Sequence, residues 1–290
     1  MQEEFIKVGE INTHYVTAGS GKPLLLLHGL GGHWGHWEAN IPALAQHYGF
    51  YAPDISGFGL SDKPQADERN LEFLLRFLRG FLDVQEIAQA VVIGNSLGGF
   101  LALQMALTYP QRVSALVLVD AAGLGAQIGW ILRLQGLPLL GDLVTTIPSR
   151  RLVRLAVRSI FYDKAQATPQ IVEEHYRHFW RPGARQCYLA VIHNGLGRGG
   201  QRYLLLDRLP QIHVPTLLVW GAEDRLLPVR HAQAAAARLP DSRLHVLPKC
   251  GHCPQMEKPE EFNRLVLDFL ADLAPARGSE VRRGEVRSHA

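Results

Sequence analysis

The 290-residue chain is predicted to be an α/β protein, with a mostly parallel sheet, flanking helices and a helical cap inserted into one core. Three observations predict it. Strand-like apolar runs alternate with helical patterns, as parallel strands joined by right-handed crossovers require. The alternation stops at about residue 125 and resumes at about 209, leaving helical patterns punctuated by proline between. Finally, Val91-Val92-Ile93 runs straight into Gly94-Asn95-Ser96-Leu97-Gly98, with Leu101, Leu103, Met105 and Leu107 following, which reads as strand, sharp turn and helix. The expected division is a core of residues 1–124 and 209–274, a cap of 125–208 and a flexible polar tail of 275–290.

In chain order, Glu3 to Val8 and Ile11 to Ala18 alternate apolar and polar residues about Gly9-Glu10, an antiparallel edge hairpin. Leu24 to Leu27 is unbroken apolar sequence, the pattern of a strand covered on both faces. A helix over Trp37 to Tyr48, a short strand over Phe50 to Pro53 and a turn-rich loop over Asp54 to Pro64 precede a helix over Leu71 to Leu82. Val113 to Val119 is the strand after the serine unit. The inserted segment offers helices at Arg150 to Phe161 and Ile171 to Trp180 and no clean strand. Strands at Val214 to Trp220 and Arg243 to Leu247, with helices at Val229 to Arg238 and Glu260 to Leu273, complete the core.

Composition narrows the function. Hydrophobic residues make up 47% and charged residues 20%, enough apolar sequence for a large core. A net charge of +3 with no basic binding motif argues against nucleic acid. The first residues lack an apolar leader and no apolar run reaches membrane-span length, so a cytoplasmic enzyme without a membrane span is expected. Three cysteines argue against a disulfide framework. Cys250-Gly251-His252-Cys253 stands near the chain's end before Pro254, not at a helix start early in a βαβ unit, so it is not read as a redox motif. Gly195-Leu196-Gly197-Arg198-Gly199-Gly200 matches a dinucleotide fingerprint only formally and is read as a flexible glycine hinge.

A serine hydroxyl needs a base to become a nucleophile and a third group to fix the base's tautomer. Residues that act on ligands gather at the carboxyl ends of parallel strands. His28, Ser96, Asp120 and Asp224 each follow such an end, and His252 lies in the loop after the last strand. The acid position is open between Asp224 and Asp120. His33 and His36 have no acidic or thiol partner nearby to complete a ligand set, so no metal is expected.

His28-Gly29-Leu30-Gly31, Gly94-Asn95-Ser96-Leu97-Gly98-Gly99, Trp220-Gly221-Ala222-Glu223-Asp224 and Gly251-His252 together resemble the α/β-hydrolase fold family. The resemblance implies Ser96 as nucleophile, His252 as base, Asp224 as orienting acid, an oxyanion hole from the amides of Leu30 and Leu97, and no cofactor. Asn95 and the run from Arg243 to Val266 are similar to the meta-cleavage product hydrolases, which split a carbon–carbon bond in a dienoate. Those enzymes carry a tryptophan where this chain has Cys253, and their cap arginine falls at about His175, with Arg177 two residues on. The candidate substrate-binding set is therefore His28, Trp34, Asn95, Arg177 and Arg181, with His28 read as ordering the oxyanion loop and Trp34 as packing or pocket wall.

With those features altered, the expected reaction is hydrolysis of a small-molecule carboxylic ester with a hydrophobic acyl or aryl group, through an acyl-enzyme. Carbon–carbon hydrolysis of a 2-hydroxy-6-oxo-dienoate is the alternative. The oligomeric state stays open, a homodimer among the options.

Overall fold

A computed structural model describes residues 1–65, 68–137 and 140–273, so the expected flexible tail at 275–290 lies outside the described residues. The strands are β1 (Gln2–Val8), β2 (Ile11–Ala18), β3 (Pro23–Leu27), β4 (Gly49–Pro53), β5 (Ala90–Asn95), β6 (Val113–Val119), β7 (Leu196–Gly197), β8 (Gly200–Gln201), β9 (Thr216–Gly221) and β10 (Ser242–Leu247). Eight of them form one sheet in the order β1-β2-β4-β3-β5-β6-β9-β10. Pairing is antiparallel where β2 meets β1 and β4, and parallel from β4 through β10.

The continuous apolar runs of β3, β5 and β6 follow from burial on both faces, because alternate side chains of a strand enter opposite layers. Leu25, Leu27, Val92, Leu116 and Leu118 join one core layer, with Phe77, Phe81, Leu101 and Met105. Leu24, Leu26, Ile93, Val117 and Val119 join the other, with Trp37, Phe262 and Phe269. Helix Leu97–Thr108 is buried from Gly98 to Ala106 and lies between the sheet and helix Leu71–Val84. Its sequence is accordingly apolar on all sides rather than striped.

Two local expectations are corrected. Trp37 to Tyr48 is not one helix: a 3-10 segment, Trp34–Asn40, gives way to a single turn, Ile41–Leu44. Pro42 explains the break, since it lacks an N–H and is accommodated only where a helix begins. The glycine-rich stretch is not a hinge either, because β7 and β8 pair antiparallel there. Gly200 has φ +110°, and a Cβ on it would stand 1.8 Å from the Ala126 carbonyl oxygen, so this glycine permits a close approach.

The segment between β6 and β9 contributes helices Trp130–Gln135, Leu140–Val144, Arg150–Ile160, Pro169–Phe179 and Ala184–Gly195. Among the described residues no helix is long and apolar enough to cross a membrane.

A Cβ on Gly98 would meet the Leu27 carbonyl oxygen at 2.1 Å, whereas one on exposed Gly199 would meet nothing within 4 Å. Gly98→Ala is expected to lower the unfolding free energy by about 1–3 kcal/mol or more in urea titrations, with Gly199→Ala near neutral. Equal stabilities in the two variants would contradict the close contact.

Candidate active site

The turn after β5 sets the site. Ser96 has φ +54° and ψ −112°, a strained backbone for a residue with a side chain. Its amide donates to the Val119 carbonyl at 2.9 Å, and its carbonyl accepts from Ala122 at 3.0 Å, which fixes it between β6 and the following loop. A Cβ on Gly94 would lie 2.3 Å from the Gly98 carbonyl oxygen, so strand and helix touch backbone to backbone. The Ser96 side chain makes no capping bond to its helix and faces a cavity of about 330 Å³.

His252 shares that cavity. Its Nδ1 lies 2.7 Å from Asp224 Oδ2, and Asp224 Oδ1 accepts from the amides of Leu226 and Leu227 at 2.7 and 3.1 Å. Burial pushes the Asp224 carboxyl up, but the charge and hydrogen bond of His252 with the surrounding donors hold it below its ordinary value. An ionised acceptor at Nδ1 keeps the proton there and leaves Nε2 free to act as a base. Asp120, the other candidate acid, bonds instead to the Gly221 amide at 3.2 Å.

Three partners hold His252 and its neighbour Gly251. The His252 amide donates to the Ile160 carbonyl at 2.7 Å, and Asn95 Nδ2 donates to the His252 carbonyl at 3.0 Å. Buried Glu257 accepts from Gly251 through Oε1 and from Tyr162 through Oε2, both at 2.7 Å. Glu257 and Ile160 were not singled out from the sequence, and Glu257 six residues after Gly251 in an acidic helix start carries no motif that marks it. All three cysteines are free thiols, and Cys253 Sγ approaches Asn95 Oδ1 at 3.9 Å.

Of the other expected residues, Leu30 and Leu97 line the cavity beside Ser96. Asn95 also borders it, but both bonds of its amide go to backbone carbonyls, of Val119 and His252, so it braces the site rather than offering that amide to substrate.

Four of the five substrate-binding candidates stand away from the cavity, with His28 and Trp34 in the loop-ordering and packing positions also read for them from the sequence. His28 is fully buried and does not line the cavity; Nδ1 donates to the Gly29 carbonyl at 2.8 Å and Nε2 accepts from the Ile55 amide at 3.0 Å. Burial lowers its pKa, so it is a neutral brace for the loop carrying Leu30. Trp34 packs against the second core layer, its amide donating to Asp54 at 2.8 Å. Arg177 is exposed and paired with Glu173 at 3.3 Å, and Arg181 is exposed; neither borders the cavity. Arg69, His36 and His175 are among the polar residues that border it, with His36 Nε2 and His175 Nε2 3.1 Å apart.

A family profile described as alpha/beta hydrolase fold matches residues 22–259. The chain belongs to the alpha/beta hydrolase family. This hydrolase is 33% identical over 263 residues to the 2-hydroxy-6-oxo-6-phenylhexa-2,4-dienoate hydrolase of Burkholderia cepacia, covering 89% of this chain and 91% of that one. The solved meta-cleavage product hydrolase from Pseudomonas fluorescens IP01 is similar with a TM-score of 0.82 at 28% identity, over 94% and 98% of the two chains. A membrane phospholipase A described as a bacterial virulence factor is similar with a TM-score of 0.77 at 26% identity, over 95% and 87%.

If Asp224 sets the tautomer of His252, Asp224→Asn in this hydrolase lowers kcat steeply, by up to roughly 10⁴-fold, while leaving Tm nearly unchanged. A loss of only a few-fold would remove Asp224 from that role.

Proposed function

We propose that this hydrolase cleaves a carbon–carbon bond in a 2-hydroxy-6-oxo-dienoate, with Ser96, His252 and Asp224 as the triad. The observation that carries the reading is the identity of about one third, across nine tenths of both chains, with a relative named for that substrate class. This reverses the ranking reached from the sequence, where ester cleavage stood first.

In the proposed cycle Ser96 Oγ attacks the 6-oxo carbon while His252 takes its proton. The amides of Leu30 and Leu97 hold the tetrahedral oxyanion. Once the 2-hydroxy group has tautomerised to a ketone, the bond to the neighbouring carbon breaks. Its electron pair leaves as an extended enolate, which His252 protonates. Water then attacks the acyl-Ser96 ester with the same base, releasing the carboxylic acid and restoring the serine.

The substrate's carboxylate needs a counterpart, and the cavity has one. Among the described residues Arg69 is the only arginine or lysine at the wall. Burial holds His36 well below its ordinary pKa and lowers that of His175, so these rings are neutral and Arg69 supplies the fixed charge. The apolar remainder of the wall, including Leu132, Val153, Val157, Phe179 and Val191, suits the hydrophobic end. We assign the helices between β6 and β9 as a cap that closes this cavity and sets specificity.

Ester cleavage is the second reading, favoured by the phospholipase likeness and by a mechanism that needs no new group. A comparison of kcat/KM for 2-hydroxy-6-oxo-6-phenylhexa-2,4-dienoate and a neutral p-nitrophenyl ester decides between them. The dienoate should win, with Ser96→Ala inactive on both. Arg69→Ala should raise KM for the dienoate alone by roughly tenfold or more, because the substrate carboxylate then loses its charged partner. Preference for the ester, with Arg69→Ala silent, would restore the ester reading.

A further inference from the structure

Asp120 has no part in the triad as described, yet it is fully buried directly behind it. It ends β6 with φ +42°, a left-handed conformation that aspartate tolerates better than most residues, and its amide donates to Val219 of β9 at 3.2 Å. One carboxyl oxygen accepts from the Gly221 amide at 3.2 Å. Ligand atoms, one each from Asp120, Asp224 and His252, lie within 4.8 Å of one another, so the two buried carboxyl groups face each other at close range. Two carboxylates buried this close repel strongly when both are ionised, and a proton on one of them removes the repulsion and supplies a donor to the other. The pair therefore holds one proton, and its owner follows from the surroundings.

Asp224 faces the His252 imidazole and accepts from two backbone amides, all of which favour its anion. Asp120 has the single Gly221 amide and faces Asp224, with Glu257, Cys250 and Cys253 also near. None of these neighbours is a cation, and His252, within 4.8 Å, makes its hydrogen bond to Asp224.

We propose that Asp120 is a positioning residue held as a neutral carboxylic acid, whose O–H donates to Asp224 and tunes the basicity of His252 through it. The proposal rests on the triad reading and adds a fourth member. Burial first, and then the Asp224 charge, raise the Asp120 pKa well above its ordinary value, in agreement with that state. Two consequences follow. The four groups carry one negative charge rather than two, matched to the one positive charge that His252 gains when Ser96 is deprotonated. The donated proton also spreads the Asp224 charge, which weakens the field that Asp224 exerts on the imidazole.

The sign of the pH response separates this from a second carboxylate and from a passive filler. Turnover of a p-nitrophenyl ester against pH is to be measured for wild type, Asp120→Asn and Asp120→Ala, with Ser96→Ala establishing that the triad carries the signal. Asn keeps a donor without charge, so Asp120→Asn should leave the acidic limb of kcat/KM in place. Asp120→Ala removes the donor, makes Asp224 more basic and should move that limb to higher pH on the order of one unit, with roughly a tenfold lower kcat.

If Asp120 were ionised, both variants would move the limb to lower pH by deleting a negative charge, which overturns the proposal. An unmoved limb in both variants overturns it as well. Infrared difference spectra at neutral pH need neither activity nor the Ala variant. The C=O stretch of a protonated carboxylic acid should be present in wild type and missing in Asp120→Asn. Its presence in both proteins, or absence from both, contradicts the assignment.

Discussion

The structure depends first on a backbone contact that only glycine permits. Gly98, in the first turn of its helix, presses against the carbonyl of Leu27, and Gly94 presses against Gly98 itself. These contacts bring β3, β5 and helix Leu97–Thr108 within touching distance, and the positive φ of Ser96 is the geometric result. Such a backbone persists only where its surroundings over-determine it, here through the bonds to Val119 and Ala122. The same approach places the end of β3, with Gly29 and Leu30, beside the first amide of the helix. A Cβ on Gly29 would meet Ser96 Cβ at 3.3 Å. The positions of Ser96 and of the Leu30 and Leu97 amides proposed as anion donors are thus consequences of one packing constraint.

The base is positioned by a different logic. His252 stands on a loop, and loops hold a side chain accurately only when their backbone groups are tied down. Here the ties come from three directions: Ile160 in the segment between β6 and β9, Asn95 in the nucleophile turn, and Glu257 in the next helix. Asn95 links serine and histidine directly, its amide bridging β6 and the His252 carbonyl. The helix ending at Ile160 is therefore tied to His252, the proposed base, through one hydrogen bond.

The core was legible because its signals are local. Apolar runs between turn residues marked β3, β5, β6 and β9, and the order of serine, acid and histidine marked the three residues proposed as the triad. The covering segment was less legible because function there depends on helix phase. His175 and Arg177 are two residues apart on helix Pro169–Phe179, which turns them about 200° from each other. One consequently lines the cavity while the other pairs with Glu173 at the surface. No local pattern says which way such a helix is rotated. Arg69 was passed over for a related reason: it lies in a loop, before helix Leu71–Val84, whose direction is set by tertiary packing. His28 stood at the right strand end, but its partner Ile55 is 27 residues away in a turn-rich loop.

The central claim is that a single strained serine, activated by His252, forms the covalent intermediate whatever the leaving group. Labelling with a fluorophosphonate probe, followed by peptide mapping in a mass spectrometer, tests it most directly. The account predicts one adduct, on Ser96, formed at least a hundredfold more slowly in His252→Ala, an estimate at the scale of general-base catalysis. An adduct at another residue, or undiminished labelling of Ser96 without His252, would contradict it.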